Sequence, residues 1–236
     1  MQRLNVGQAM PATLPFDDFP ALSATVRETM FVSLVSDVLD GLGYRDQALP
    51  ARIRPLDEEA VLFGRARTGL YRDVYEPPTD RNPYALEIAL VDDLQPGEVV
   101  VLACGASGRI APWGGLLTTA ARARGAAGCL TDGAVRDIRA TRKLGFPVFH
   151  GGISPLDSKG RGEIAEIDVA VHVAGVRVAP GDIVFGDADG VVVIPRAIER
   201  EVFTRAVEKL AGETRTEEAL ARGEKLADVF ARYGIL

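Results

Sequence analysis

Apolar residues recur every four positions from Val26 through Met30, Leu34 and Val38 to Leu42, with Phe31, Val35 and Leu39 beside them. That spacing puts them on one helical face. It predicts a helix from Thr25 to Leu42, opened by a Thr25/Glu28 capping box and stopped by Gly41 and Gly43. Ser36, Asp37 and Asp40 lie on or beside the stripe, either as a solvated edge or as groups facing a cleft or a subunit contact. The period then changes. Ala60–Tyr71 reads as a strand interrupted at Gly64 and Gly69, and Val99–Ala103 as a buried strand. Between them Pro77, Pro78 and Pro83 forbid a regular element until a helix from about Tyr84 to Leu94. Asn82 stands just ahead of that helix, as a cap or as a functional loop residue.

The stretch Gly105–Phe149 alternates turn, helix, strand, turn, helix and strand. Gly114-Gly115-Leu116-Leu117 precedes an Ala-rich helix, Leu117–Arg124. Two glycines let backbone approach a ligand, and a helix start offers unpaired N–H groups suited to a carboxylate or phosphate. Asp132–Asp137 follows the buried run Ala126–Thr131 and opens a helix ending near Leu144. Arg136 and Asp137 therefore sit where α/β sheets place their sites, at a strand's carboxyl end. Arg can fork onto a carboxylate, and Asp can hold Mg²⁺ together with waters. The same pair also suits a surface ion pair with a helix cap. Arg109, Arg139, Tyr71 and Trp113 are candidates for the pocket mouth.

Past Phe146–Phe149, residues 151–163 read as a surface loop, Ile164–Val173 as one strand, and Val176–Pro195 as apolar strands joined by turns at Pro180–Asp182 and Asp187–Gly190. From Ala197 to Tyr233 the chain is helical, broken at Gly212 and Gly223, a polar arm of the kind that packs on a neighbouring subunit. Helices inserted between short strands make the class α/β, in a single domain with a core of about 25–195 and a helical arm 196–236.

Composition narrows the function. Net charge −6 argues against a nucleic-acid binder. No apolar run reaches the ~20 residues of a membrane span, and the first residues lack a secretory apolar segment and read as an extended arm. Cys104 and Cys129 are expected as buried thiols, so the expected location is the cytoplasm. P-loop, dinucleotide and nucleophile-elbow motifs are absent, and two histidines cannot build a His-rich zinc site. Catalysis would fall to carboxylates, Arg and backbone amides.

The run WGGLLTTAARARGAAGCLTDGAVRDIRATRKLGFPVF, with GDADGVVVIP, resembles the core of the RraA-like family over roughly residues 25–235. That family includes metal-dependent 4-hydroxy-4-methyl-2-oxoglutarate and 4-carboxy-4-hydroxy-2-oxoadipate aldolases and the regulator of ribonuclease E activity. The resemblance implies an α/β/α fold like the swivelling phosphohistidine domains, in trimers or hexamers with sites between subunits. It implies a lyase acting on pyruvate-like 2-oxo acids with Mg²⁺ or Mn²⁺, or a non-catalytic regulator on the same scaffold. By that likeness Asp137 holds the metal, Arg136 contacts the substrate's oxo oxygen, and the turn Gly114, Gly115, Leu116, Leu117 receives the carboxylate. Asn82 matches a loop asparagine, and Glu213 a C-terminal glutamate reaching a neighbour's site. Two positions depart from the family: its aldolases carry an acid at the position of Gly115, and other members one at that of Ala140.

Overall fold

A computed structural model describes residues 14–76, 80–105 and 107–235. In chain order the elements are α1 (Phe19–Thr29), α2 (Val32–Gly41), β1 (Arg54–Pro55), β2 (Leu62–Asp73), α3 (Ala85–Asp92), β3 (Glu98–Ala103), α4 (Gly115–Ala123), β4 (Gly128–Thr131), β5 (Ala134–Val135), α5 (Ile138–Lys143), β6 (Val148–His150), β7 (Gly152–Ile153), β8 (Gly162–Ile167), β9 (Val171–Val173), β10 (Val176–Val178), β11 (Ile183–Asp187), β12 (Gly190–Ile194), α6 (Glu199–Ala221) and α7 (Leu226–Tyr233). The expected α/β class holds. Most of the expected N-terminal arm, with Pro77 and Pro78, lies outside the described residues.

Eight strands form one sheet in the order β1-β6-β4-β3-β2-β11-β12, with β8 added to the far half of β2. Strands β2, β3, β4 and β6 run parallel, and the β11–β12 hairpin is antiparallel to β2. The edges nearly meet. Leu49 N–H donates to the Val191 carbonyl and Val193 N–H to the Gln47 carbonyl, each at 2.9 Å. A few residues on, β1 pairs with β6 at the other edge.

Near closure explains why the strands carry unbroken apolar runs rather than alternation with polar residues: both faces are covered. Val99, Val101, Leu62, Ala66, Val184, Val191 and Val193 pack together inside the curved sheet. Their neighbours Phe63, Ile183, Phe185, Val192 and Ile194 face outward against α1, α2 and α6. Val100, Leu102, Cys129 and Val148 face α3, α4 and α5.

The structure corrects the sequence at four places. The first helix is two, because Met30 and Phe31 are extended and Asp187 Oδ2 accepts the Val32 N–H at 2.8 Å, starting a second helix. Thr25 is then mid-helix and caps nothing; Asp18 caps α1, accepting the Ala21 N–H at 3.0 Å. Ile164–Val173 splits into β8 and β9 where Asp168 turns left-handed at φ 57°. Gly212 lies inside α6 instead of breaking it, and a Cβ there would stand 2.4 Å from Ile235 Cδ1, so the glycine seats the returning C-terminus. Finally, the C-terminal helical segment is no free arm: Val202, Phe203 and Ala206 are fully buried in the core around Phe63, which therefore extends past residue 195.

Phe63 anchors that core, with the rings of Phe185, Phe203 and Phe19 at 5.6, 5.7 and 5.9 Å. Phe63→Ala should cost about 3–5 kcal/mol in denaturant unfolding, the usual penalty for emptying a buried aromatic site.

Candidate active site

The parallel neighbours β3 and β4 end side by side, and each hands the chain to a loop and then a helix. Buried Asp132 ties the β3 exit to the β4 exit, its Oδ1 accepting the Cys104 N–H at 2.6 Å while its Oδ2 accepts the Ala174 N–H at 2.9 Å. The loops then run together: Trp113 bridges Val135 in parallel, and Arg136 N–H donates to the Trp113 carbonyl at 2.9 Å. This pairing brings Gly114-Gly115 against Arg136-Asp137. Asp137 Oδ2 accepts the Gly115 N–H at 3.0 Å. The first intrahelical bond of α4 is Thr118 N–H to the Gly114 carbonyl, so helix geometry leaves the Leu116 and Leu117 amides for an outside acceptor.

A side chain at Gly114 would displace the Asp137 and Arg136 side chains. A Cβ there would stand 2.7 Å from Asp137 Oδ2 and 3.0 Å from Arg136 Cγ. Gly115 differs: its nearest neighbours would be the Cβ atoms of Ala140 and Asp137, both at an ordinary 3.4 Å. Gly115 and Ala140, the two positions singled out by the family resemblance, therefore face one another beside Asp137.

Asp137 itself is left-handed, φ 56° and ψ 36°, at the start of α5, and its side chain makes no cap bond. A non-glycine residue there stores strain, tolerated best by Asp and Asn. The expected alternative, an Arg136–Asp137 ion pair with a helix cap, does not form. Arg136 turns instead toward Asp157, Nη2 to Oδ1 3.5 Å.

Asp157 belongs to the stretch expected as surface loop, and no local pattern marks it. Its Oδ2 accepts the Tyr84 hydroxyl at 2.8 Å. Nearby, the Tyr71 hydroxyl donates to Glu87 Oε2 at 2.7 Å. Partial burial pushes the Asp157 carboxyl up, but the Tyr84 hydroxyl and Arg136 outweigh it and hold the group below the usual range. Burial and the bond to Asp157 push the Tyr84 phenol up to about 12. Burial raises Glu87 despite the bond from Tyr71.

The remaining expected residues divide. Arg139 lines an open depression with Gly115, Leu116, Thr119, Asp137, Ile138 and Ala140. Trp113 is 1% exposed and stacks on Phe146, so it is core and not pocket mouth; Tyr71 is likewise buried. Arg109 lies over the Tyr75 ring. Asn82 is exposed and its Oδ1 accepts the Tyr84 N–H at 3.0 Å, which is the cap-like role. Glu213 pairs with Lys209, which also holds Asp37, on the α2–α6 side of the molecule and away from this turn. Cys104 and Cys129 are buried free thiols, as expected. Among the described residues no three His, Cys, Asp or Glu side chains group to hold a metal. Asp137 alone offers a carboxylate in the turn, which fits an ion that keeps most of its waters, as Mg²⁺ does.

The family model described as RraA-like, Aldolase/RraA, matches residues 32–193. The chain belongs to the RraA-like family. It is 35% identical over 193 residues to a protein of Halalkalibacterium halodurans provisionally named 4-hydroxy-4-methyl-2-oxoglutarate aldolase, covering 82% of this chain and 86% of that one. It is 32% identical over 149 residues to the 4-hydroxy-4-methyl-2-oxoglutarate aldolase of Thermus thermophilus, covering 63% and 85%. Among solved structures it is similar to Streptomyces coelicolor RraAS2, described as an unusual member of the RNase ES inhibitor RraA family, with TM-score 0.72, 27% identity and coverage of 91% and 100%.

The two glycines should respond differently to a methyl group. Gly114→Ala should lose about 1–3 kcal/mol in urea unfolding through overpacking, while Gly115→Ala stays within about 0.5 kcal/mol, as an unstrained surface change does.

Proposed function

We propose that this RraA-like protein is a divalent-metal-dependent lyase acting on pyruvate-like 2-oxo acids. Its reaction is retro-aldol cleavage of a 4-hydroxy-2-oxo acid, decarboxylation of oxaloacetate, or both. The observation that carries the proposal is the convergence of a helix-start amide turn, a guanidinium and a carboxylate within one contact of each other.

The Leu116 and Leu117 amides receive the substrate carboxylate at the positive end of α4. Arg136 donates to the 2-oxo oxygen, and Asp137 is the residue that would hold Mg²⁺ or Mn²⁺. A divalent cation there would supply Lewis-acid polarisation of the oxo group. Both bond cleavages leave an electron pair that moves onto the 2-oxo oxygen, and Arg136 stabilises that charge as it develops. Retro-aldol cleavage also needs an acceptor for the 4-hydroxyl proton, whereas decarboxylation does not. With Gly115 and Ala140 in the acid positions, decarboxylation is the better supported of the two.

The proposal includes assembly into trimers or hexamers and a cytoplasmic location. Among the described residues no helix is long and apolar enough to cross a membrane. In a trimer or hexamer Glu213 would leave Lys209 to reach a neighbour's site.

The missing acids also favour a second reading, a non-catalytic regulator; the Streptomyces relative is described as an unusual member of the RNase ES inhibitor RraA family. Oxaloacetate decarboxylation and exchange of pyruvate methyl protons in D₂O separate the two. The lyase should be active with Mg²⁺ or Mn²⁺ and lose activity with EDTA and in Asp137→Ala; an inactive protein belongs to the regulator reading, and activity indifferent to both treatments overturns the metal-dependent one.

The geometry adds a rescue. Gly115→Asp and Ala140→Glu place a carboxylate in nearly the same spot, so each alone should raise activity by about 10–100-fold, the usual worth of an outer partner at a metal site. The double variant should not exceed the better single one, because two like charges would be in contact. Steady-state kinetics on the three variants checks this.

A further inference from the structure

Asp157 reaches Arg136 from a loop that is itself firmly held. Ser154 N–H donates to the Val135 carbonyl at 3.1 Å, one residue from Arg136. Arg161 Nη1 donates to the Asp157 carbonyl at 3.2 Å. Buried Ser158 accepts the Arg161 and Gly162 N–H groups through its carbonyl, each at 2.8 Å. Tyr84, at the start of α3, fixes the carboxylate from the other side. Asp157 Oδ1 is sealed from solvent and has no hydrogen-bond partner among the described residues, and Arg136 Nη2 stands 3.5 Å away. That is too long for a hydrogen bond but within ion-pair range. The guanidinium is thus drawn to one side by charge without being locked in a two-pronged fork, and its N–H donors make no hydrogen bond among the described residues.

We propose that Asp157, braced by Tyr84, is the positioning carboxylate of Arg136. The second part of the proposal rests on the lyase reading. By offsetting the standing charge of Arg136, Asp157 suits it to an oxo oxygen that becomes negative only during reaction. A group already carrying full charge at that point would meet the Asp157 carboxylate at close range. Stabilisation that grows with the reaction speeds the chemical step, whereas equal stabilisation of bound substrate does not.

Asp157→Asn removes the charge but keeps the shape and the acceptor for Tyr84. The first measurement needs no substrate: ¹⁵N relaxation of the Arg136 Nε–Hε group. In the wild type it should be more ordered than exposed arginines such as Arg200, and in Asp157→Asn it should become as mobile as they are. Unchanged order in the variant overturns the positioning role. The second measurement is oxaloacetate decarboxylation with Mg²⁺. Asp157→Asn should lower kcat by about 10–100-fold, as loss of a partner that orients an active group does, while KM changes little. Asp157→Glu should recover part of the loss, and Tyr84→Phe should reproduce part of it. A rise in KM at unchanged kcat would overturn the charge-matching part. An inactive wild type with an ordered Arg136 that loosens in Asp157→Asn would sink the lyase reading and leave the positioning role standing.

Discussion

The side chains of Asp137 and Arg136 lie so close to the Gly114 backbone that a side chain there would displace them. Everything in the candidate site depends on that approach. It sets the Gly115 amide on the Asp137 carboxylate and lays Arg136 along the same turn. The approach is imposed from behind, by parallel pairing of β3 with β4 and by the short Trp113–Val135 bridge that continues it beyond the sheet. The left-handed backbone of Asp137 is the local cost. It aims the carboxylate at α4 instead of at the amides of α5 that it precedes.

A sheet that nearly closes makes that platform rigid. With apolar side chains packed on both faces, the ends of β3 and β4 cannot shift without disturbing two cores at once. Strand pairing also carries chain segments distant in sequence to one end of the sheet. Pairing of β8 with β2 and packing of α3 on β8 bring the loop before β8 and the start of α3 beside Arg136, and with them Asp157 and Tyr84.

Charge around the turn is distributed unevenly. On the side of Gly115 and Ala140 the surface is an open depression with Asp137 at its edge and no second acid. On the side of Arg136, Asp157 and Glu87 supply carboxylates, each held by a tyrosine hydroxyl. The Asp137 half of the site is sparse in charge and the Arg136 half is heavily supported. That asymmetry suits chemistry in which stabilising a developing oxyanion matters more than moving a proton.

Local sequence carried much of this. The apolar runs announced the buried strands, and the glycine pair and the Arg-Asp turn announced where α4 and α5 begin. Strand-then-helix order alone placed both turns at strand carboxyl ends, because that geometry is inherent to parallel α/β units. These features depend on spacing within about ten residues, which the chain writes directly. The break between α1 and α2 was hidden because the helical period runs straight through it; the Asp187 carboxylate, 155 positions on, decides it. Gly212 looked like a stop because glycine usually is one; the returning Ile235 gives it another purpose. Asp157 and Tyr84 carried no signal at all, since an acid in a polar loop and an aromatic before a helix are each unremarkable. Only the tertiary structure could join them to Arg136. Ion pairs and hydrogen bonds between distant segments form through space, and the pairing of distant strands sets which distances in space are short.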